Sequence, residues 1–339
     1  MTVQTTSTTY RRSVPKIKKQ DLSSESRFFS VVSLFSGAGG LDLGFRGDFT
    51  FLSQHYSRHP FQIVWANDLN ARACDTYRRN LGGHIHQGDI WDHLASLPEQ
   101  ADLVIGGFPC QDISVNGKGM GAISGEKSGL YRAMVEAVRA LGPRMFVVEN
   151  VKALMHGNHS ESFDQITQDF QSLGYEVTHN LYNAADYGVP QTRERVFIIG
   201  RLPSVREFAV PTPILNQTAW VNALTALQDL EDLPENPATN HFWSKAAVSP
   251  DQGNRSLKAD RPGYTIRAEC HGNTHWHYKL PRRMSMREAA RIQSFPDDFI
   301  FEAKIRDSER QIGNAVPPVL AWHIARAVEE SLSMPVEND

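Results

Sequence analysis

Residues 28–45 read FFSVVSLFSGAGGLDLGF: an apolar, β-branched run enters a glycine turn and leaves it as the start of a helix. A short buried strand followed by a helix is the unit of a parallel sheet covered on both faces. The same rhythm returns down the chain. FQIVWAND (61–68) precedes the helical LNARACDTYRRN (69–80), and HIHQGDI (84–90) precedes WDHLASL (91–97). ADLVIGGFPC (101–110) and RMFVVENV (144–151) are further strands, with the amphipathic GLYRAMVEAVRAL (129–141) between them. YEVTHNLYNAADYGVPQTRERVFIIG (175–200) reads as two strands joined by a loop, a hairpin closing the sheet. The fold class this predicts is α/β, a Rossmann-like sheet with helices on both faces.

Beyond Arg201 the rhythm stops. Residues 201–283 are rich in Pro, Asn, His and Trp without a sustained period, as a smaller irregular lobe would be. Two helical stretches, SMREAARIQSF (285–295) and PPVLAWHIARAVEESL (317–332), finish the chain. Residues 1–27 are polar and rich in Ser and Thr, and read as a tail outside the core. The 339 residues are 40% hydrophobic, enough for a core of two lobes, and the formal net charge of −3 announces no bulk affinity for polyanions. Cys74, Cys110 and Cys270 make no disulfide framework and no paired zinc spacing, which suits a reducing, cytoplasmic home and a chemistry without metal. No apolar run approaches a membrane span.

The turn after the first strand is not G-x-G-x-x-G, because Asp42 stands where the third glycine would be, and it lacks the lysine of a phosphate-cradling loop. Taken alone it reads equally well as a tight strand-to-helix turn. Two acidic residues add a pattern. Asp68 ends the next strand, placed to accept from ribose hydroxyls, and Asp89 ends the following one, placed to accept from an adenine amino group. Each alone is more often a helix cap. Glycines, Asp and Asp on consecutive strand ends point to an adenosine-bearing cofactor that needs no phosphate contacts, and S-adenosylmethionine fits better than NAD.

Cys110 follows a proline at the end of the fourth strand, beside that presumed cofactor; Glu149 ends the fifth, and Arg193 and Arg195 enter the last. Singly, each has a plain reading as a buried thiol, a cap or a solvated arginine. Together, a thiolate, a carboxyl that can hold a proton and a cation suit nucleophilic addition to an electron-poor ring. Cytosine C5 is too weak a nucleophile to take a methyl group from a sulfonium unaided. Addition of Cys110 to C6 would make C5 an enamine carbon, with Glu149 at N3 and Arg195 at O2.

FSGAGGLDLGF, GGFPCQDIS, ENV, QTRERVFIIG, REAARIQSFPDDF and QIGNAVPP occur in this order, and over residues 31–330 the chain resembles the DNA (cytosine-5)-methyltransferase family of bacterial restriction-modification type. The resemblance implies that Cys110 is the nucleophile, with Glu149, Arg193 and Arg195 as its catalytic partners. It implies an S-adenosylmethionine site at Phe35, Gly37, Gly40, Asp68, Asp89, Ile90, Leu130 and Asn314, with S-adenosylhomocysteine as product. It divides the chain into a catalytic and cofactor-binding domain (28–200 with 304–339) and a target-recognition domain (201–303). The partner it implies is double-stranded DNA, the setting a monomer working functionally beside a cognate restriction endonuclease, on the bacterial nucleoid. A tRNA-methylating branch of the fold typically carries Cys-Phe-Thr in the target lobe, a triplet lacking here. A catalytically dead relative would not keep Cys110, Glu149 and Arg195. The link RGDFTFLSQHYSRHP (46–60) is longer than the family's short form.

A base inside a duplex hides C5 and C6, so the target nucleotide has to be extruded. The glycine-rich QDISVNGKGMGAISGEKSG (111–129), with Gln111 and Ser114 toward DNA, is placed to close over it. Residues 255–291 hold nine basic and three acidic residues, a local surplus of six in an acidic chain. Phosphates are expected there, at Arg282 and Arg283 among others, and Arg267, His271, Asn273 and His275 are candidate readers of base edges. A solvated basic face is the alternative for any one of them.

Overall fold

The computed structural model describes residues 28–109, 129–156, 160–245, 256–268 and 275–334. Seven strands form the main sheet: β1 (Phe29–Leu34), β2 (Phe61–Asp68), β3 (Ile85–Gln87), β4 (Leu103–Gly106), β5 (Met145–Val151), β6 (Glu176–Asn183) and β7 (Glu194–Arg201). Their order is β3-β2-β1-β4-β5-β7-β6. β1 to β5 pair in parallel, and β7 runs antiparallel between β5 and β6. The expected hairpin is therefore present with its second strand inside and its first strand at the edge. This agrees with the residues: β7 is apolar through VFII, whereas most of β6 is open to solvent.

The order reverses beside β1, where crossovers leave in opposite directions and open a crevice at the carboxyl ends of the strands. On one face α1 (Gly40–Arg46) and α9 (Pro318–Ser333) cover the sheet, with α2 (Ala71–Leu81) behind β2 and β3. A short α3 (Ile90–His93) follows β3, and α4 (Leu130–Leu141) and α5 (Ser160–Ser172) cover the other face. Alternation along β1 feeds both cores: Phe29 and Val31 join Phe45, Leu320 and Ile324, while Val32 and Leu34 join Met134, Val138 and Phe170. Burial on both faces is why these strands are almost continuously apolar.

The segment after Arg201 holds α6 (Ala223–Leu227) and α7 (Met286–Ile292), and α8 (Ile305–Asn314) leads into α9. Its Phe208, Leu257, Ile292, Phe295 and Phe301 belong to the same apolar cluster as α1 and α9. The long link 46–60 forms a hairpin, 49–51 against 54–56, whose turn residues Leu52 and Ser53 both have positive φ. Tyr56 stacks on Phe49 and meets the edge of Trp322, and His59 Nδ1 lies 2.6 Å from Glu329 Oε2, so the link is fastened to α9. Among the described residues no helix is long and apolar enough to cross a membrane.

Candidate active site

The turn after β1 is held by left-handed backbone at Gly37 (φ 56°) and Gly39 (φ 91°). A Cβ on Gly39 would stand 2.2 Å from Leu81 Cδ1 and about 3 Å from the Tyr77 ring, so only glycine lets the loop lie against α2. The loop forms one wall of a cavity of about 1000 Å³ at the carboxyl ends of the strands. Phe35, Gly37, Gly40, Asp68, Asp89, Ile90, Leu130 and Asn314, all expected from the sequence, line it. Glu149, Arg193 and Arg195 line it too, as does Pro109. Cys110, the residue after Pro109, lies outside the described residues, as do Gln111, Ser114, His271 and Asn273.

Asp68 is engaged at both oxygens: Oδ2 accepts from Gly37 N and Oδ1 from Asn70 N, each at 2.8 Å. These bonds fasten the glycine loop to the end of β2 and hold its pKa down against a stronger upward push from burial. Each oxygen keeps a second lone pair for a ligand. Asp89 falls two residues beyond β3 and caps α3, accepting from Trp91 N at 3.0 Å. Its cap role and its exposure toward the cavity coexist.

Glu149 sits inside β5, 8% exposed, with Oε1 2.8 Å from Arg195 Nε. Burial raises its pKa, and the cations of Arg195 and Arg193 pull the other way. A carboxyl poised like this holds a proton more readily than a solvated one. Arg193 is 1% exposed. Its Nη1 donates to Ile266 O at 2.9 Å and Nη2 to Gly313 O and Ala315 O at 2.8 and 3.1 Å. It therefore ties the entry of β7 to the 263–268 segment and to the end of α8.

Other residues of the cavity wall were not singled out from the sequence. Leu69, 72% exposed, and Trp91, 43% exposed, offer apolar surface beside Asp68 and Asp89. For Leu69, an apolar residue directly after the strand-terminal Asp68 was the signal available. Arg306, Arg310 and Gln311 come from α8, which the sequence did not suggest as a helix. Four buried side-chain atoms in this wall have no hydrogen-bond partner: Asp42 Oδ2, Arg193 Nε and both amide atoms of Gln311. An apolar shelf, carboxylates free to accept and orphaned polar atoms fit an adenosyl amino acid.

The basic stretch is divided in its roles. Arg287 donates from Nε, Nη1 and Nη2 to Thr239 O, Pro296 O and Phe299 O, and Arg291 is shared between Asp229 and Asp297. These two charges hold the fold and do not face solvent, so the local surplus counted along the sequence overstates the surface charge. Arg282 makes a two-pronged pair with Glu288 at 2.8 Å and lies over Trp243; Arg283 is 3% exposed and lies over Trp276. His275 is buried. The Arg267 side chain is exposed, while its backbone rests on Gly313, where an added Cβ would stand 2.5–2.6 Å from Arg267 and Ala268 backbone atoms. Gly313→Ala should therefore destabilise the protein, although an interior helical Gly→Ala change normally stabilises by about 1 kcal/mol. Chemical denaturation checks the sign.

Fold and cavity together define a cofactor-dependent methyltransferase built on a doubly wound sheet. The family model for C-5 cytosine-specific DNA methylases matches residues 29–269 and 250–330, and the chain belongs to that family. Its activity is that of a DNA (cytosine-5-)-methyltransferase dependent on S-adenosylmethionine. Type II methyltransferase M.NgoFVII of Neisseria gonorrhoeae is 37% identical, covering 91% of this chain and 88% of the relative. M.MthTI of Methanothermobacter thermautotrophicus is 34% identical over 89% of this chain and 97% of its own length. A candidate DNA modification methyltransferase from an E. coli prophage shares the fold at TM-score 0.70 and 22% identity, covering 90% of this chain and all of its own.

Proposed function

We propose that this chain methylates C5 of a cytosine turned out of a specific double-stranded DNA sequence, through a covalent bond between Cys110 Sγ and C6. The observation that carries the reading is the Glu149–Arg195 pair, buried at the wall of the cavity that also receives the glycine loop and Pro109. Cys110 Sγ adds to C6 and the ring's electron pair moves toward N3 and O2. Glu149 shares its proton with N3, and Arg195 neutralises charge at O2, which lowers the barrier to addition. S-adenosylmethionine, when bound, supplies the electrophilic methyl group. Loss of the C5 proton and departure of the Cys110 thiolate then restore the aromatic ring, and N3 returns its proton to Glu149. Arg193 acts from behind as a positioning residue.

In this reading Asp68, Asp89, Ile90 and Leu130 hold the adenosyl part of the cofactor, and Phe35, Gly37, Gly40 and Asn314 the rest. The 201–303 segment is the target-recognition domain against a catalytic domain of 28–200 and 304–339. Arg267, exposed beside the cavity, and His271 and Asn273 read base edges, and Gln111 and Ser114 approach the extruded nucleotide. Arg282 and Arg283, expected from the sequence to grip phosphates, are instead held inward, Arg282 by Glu288 and Arg283 at 3% exposure over Trp276. The relatives' designation as Type II methyltransferases supports a restriction-modification setting. In this reading the protein acts as a monomer in the bacterial cytoplasm, beside a cognate endonuclease.

DNA carrying 5-fluorocytosine at the target tests the chemistry, because fluorine at C5 does not leave as a proton does. With S-adenosylmethionine present, the wild-type protein should form a denaturant-resistant adduct with this DNA and Cys110→Ser should form none. Methylation of ordinary DNA without an adduct on the fluorinated DNA would sink the covalent route.

A further inference from the structure

Most of the basic stretch expected to grip phosphates is turned inward. Arg282 is paired with Glu288, Arg287 and Arg291 are engaged by carbonyls and carboxylates, and Arg283 is 3% exposed. A chain of net charge −3 that binds DNA must then present cations elsewhere, because phosphate neutralisation supplies nearly all of the sequence-independent affinity. α8 presents two. Arg306 and Arg310 are exposed, yet both belong to the cavity wall, which puts them at its rim. Four residues apart, they share one face of α8 on successive turns, about 6 Å apart along the axis. Asn314 continues that face four residues further on. Among the described residues Arg310 has no ion-pair partner. Of the acidic residues of α8, Asp307 shares the wall, half-buried, and Glu309 lies off it.

The ligand that fits this rim follows from what adjoins it. α8 ends against the segment that holds Arg267: a Cβ on Gly313 would stand 2.5–2.6 Å from Arg267 and Ala268 backbone atoms, and the Arg267 side chain is exposed. A duplex whose base edges meet Arg267 therefore brings its backbone to α8. Distance along the helix separates this rim from the cofactor. With Asn314 at the cofactor, Arg310 is one turn away and Arg306 two, about 6 and 12 Å along the axis. A single carboxylate does not engage both, whereas neighbouring phosphates of one strand can take one guanidinium each. We propose that Arg306 and Arg310 form a phosphate clamp that holds the DNA backbone beside the extruded cytosine while its base enters the cavity. The assignment rests on the methyltransferase reading above, and it makes α8 a positioning element for DNA as well as a wall for the cofactor.

Fluorescence anisotropy of the full chain across a salt series, with a labelled duplex that it methylates and with a scrambled one, tests this. Arg306→Gln and Arg310→Gln should each weaken both complexes alike, roughly tenfold at low salt, and flatten the slope of log K against log salt by about 0.9. The double variant should lose about twice that slope. Both sites are exposed and glutamine keeps helix propensity, so Tm should hold. Affinity for S-adenosylhomocysteine, read by calorimetry, should stay within a few-fold of wild type. Arg139→Gln, in the last turn of α4, makes the same change of charge away from the cavity and should leave the slope in place. An unchanged slope in both single variants, equal flattening by Arg139→Gln, an altered target sequence, or lost cofactor affinity with DNA affinity intact would overturn the proposal. Each of these leaves the methyltransferase reading standing. Failure of wild type to bind and methylate any duplex would remove both.

Discussion

Glu149→Gln lowers turnover by roughly two to four orders of magnitude, the range of a lost general acid–base group. The amide keeps the size of the carboxyl and still offers an oxygen to Arg195 Nε, which lies 2.8 Å from Glu149 Oε1. What disappears is the proton shared with N3 as negative charge grows in the ring. Burial has already raised the Glu149 pKa, so the protonated form is more available near neutrality than in a solvated carboxyl. DNA and cofactor affinities should stay within a few-fold of wild type, since the loss belongs to the transition state. Single-turnover methylation with tritiated cofactor, beside equilibrium binding, separates the two effects. A variant within a few-fold of wild-type turnover would transfer the proton-donor role to another group.

Arg193→Met should cost about 3–5 kcal/mol of stability, because three buried carbonyls lose their donor at roughly 1–3 kcal/mol each. The substitution leaves the carbonyls of Ile266, Gly313 and Ala315 without their donor in the interior. Methionine fills much of the volume, so the loss reports hydrogen bonding and charge more than a cavity. A fall in Tm on the order of 5–10 °C is the readout. A second readout follows from electrostatics. Arg193 is one of two cations that lower the Glu149 pKa, so its removal lets Glu149 titrate higher. Because a carboxyl whose folded pKa exceeds its unfolded value loses stability as pH rises between the two, the variant should be relatively less stable on the alkaline side. An unchanged Tm would mean that the three carbonyls find other partners.

Several site residues were legible because the sheet's logic is local. Glycine loop, Asp68 and Asp89 follow successive strands, and parallel strands bring their carboxyl ends to one crevice whatever the loops do. Glu149 and Arg195 were legible for the same reason, since β5 and β7 are neighbours in register, Phe197 opposite Glu149. α5 was missed because thirteen residues supply only three buried apolar contacts, Phe163, Ile166 and Phe170, among polar neighbours. α8 was missed because its buried face, Ser308, Gln311, Ile312 and Gly313, holds a single large apolar residue, so its period lies in where the charges fall and not in an apolar stripe. With α8 went Arg306, Arg310 and Gln311 of the cavity wall.

The amino-acid order alone determined the α/β class, the run of strands that carries the chemistry and the family resemblance, because each depends on periodicity and short motifs within a few residues. It could not determine which arginines face outward. Arg195 and Arg193 stand two apart on an extended chain, yet one pairs with Glu149 at the cavity and the other is spent on three backbone carbonyls from distant segments. Arg287 and Arg291 look like a basic face and are buried in hydrogen bonds to loops that only the folded chain brings near. Nor could it tell that Asp42 would meet Tyr77, 35 residues away, and leave one oxygen unclaimed in the cavity wall. A buried charge takes its role from the partners that desolvation forces it to find, and those partners are set by packing between elements far apart in the chain.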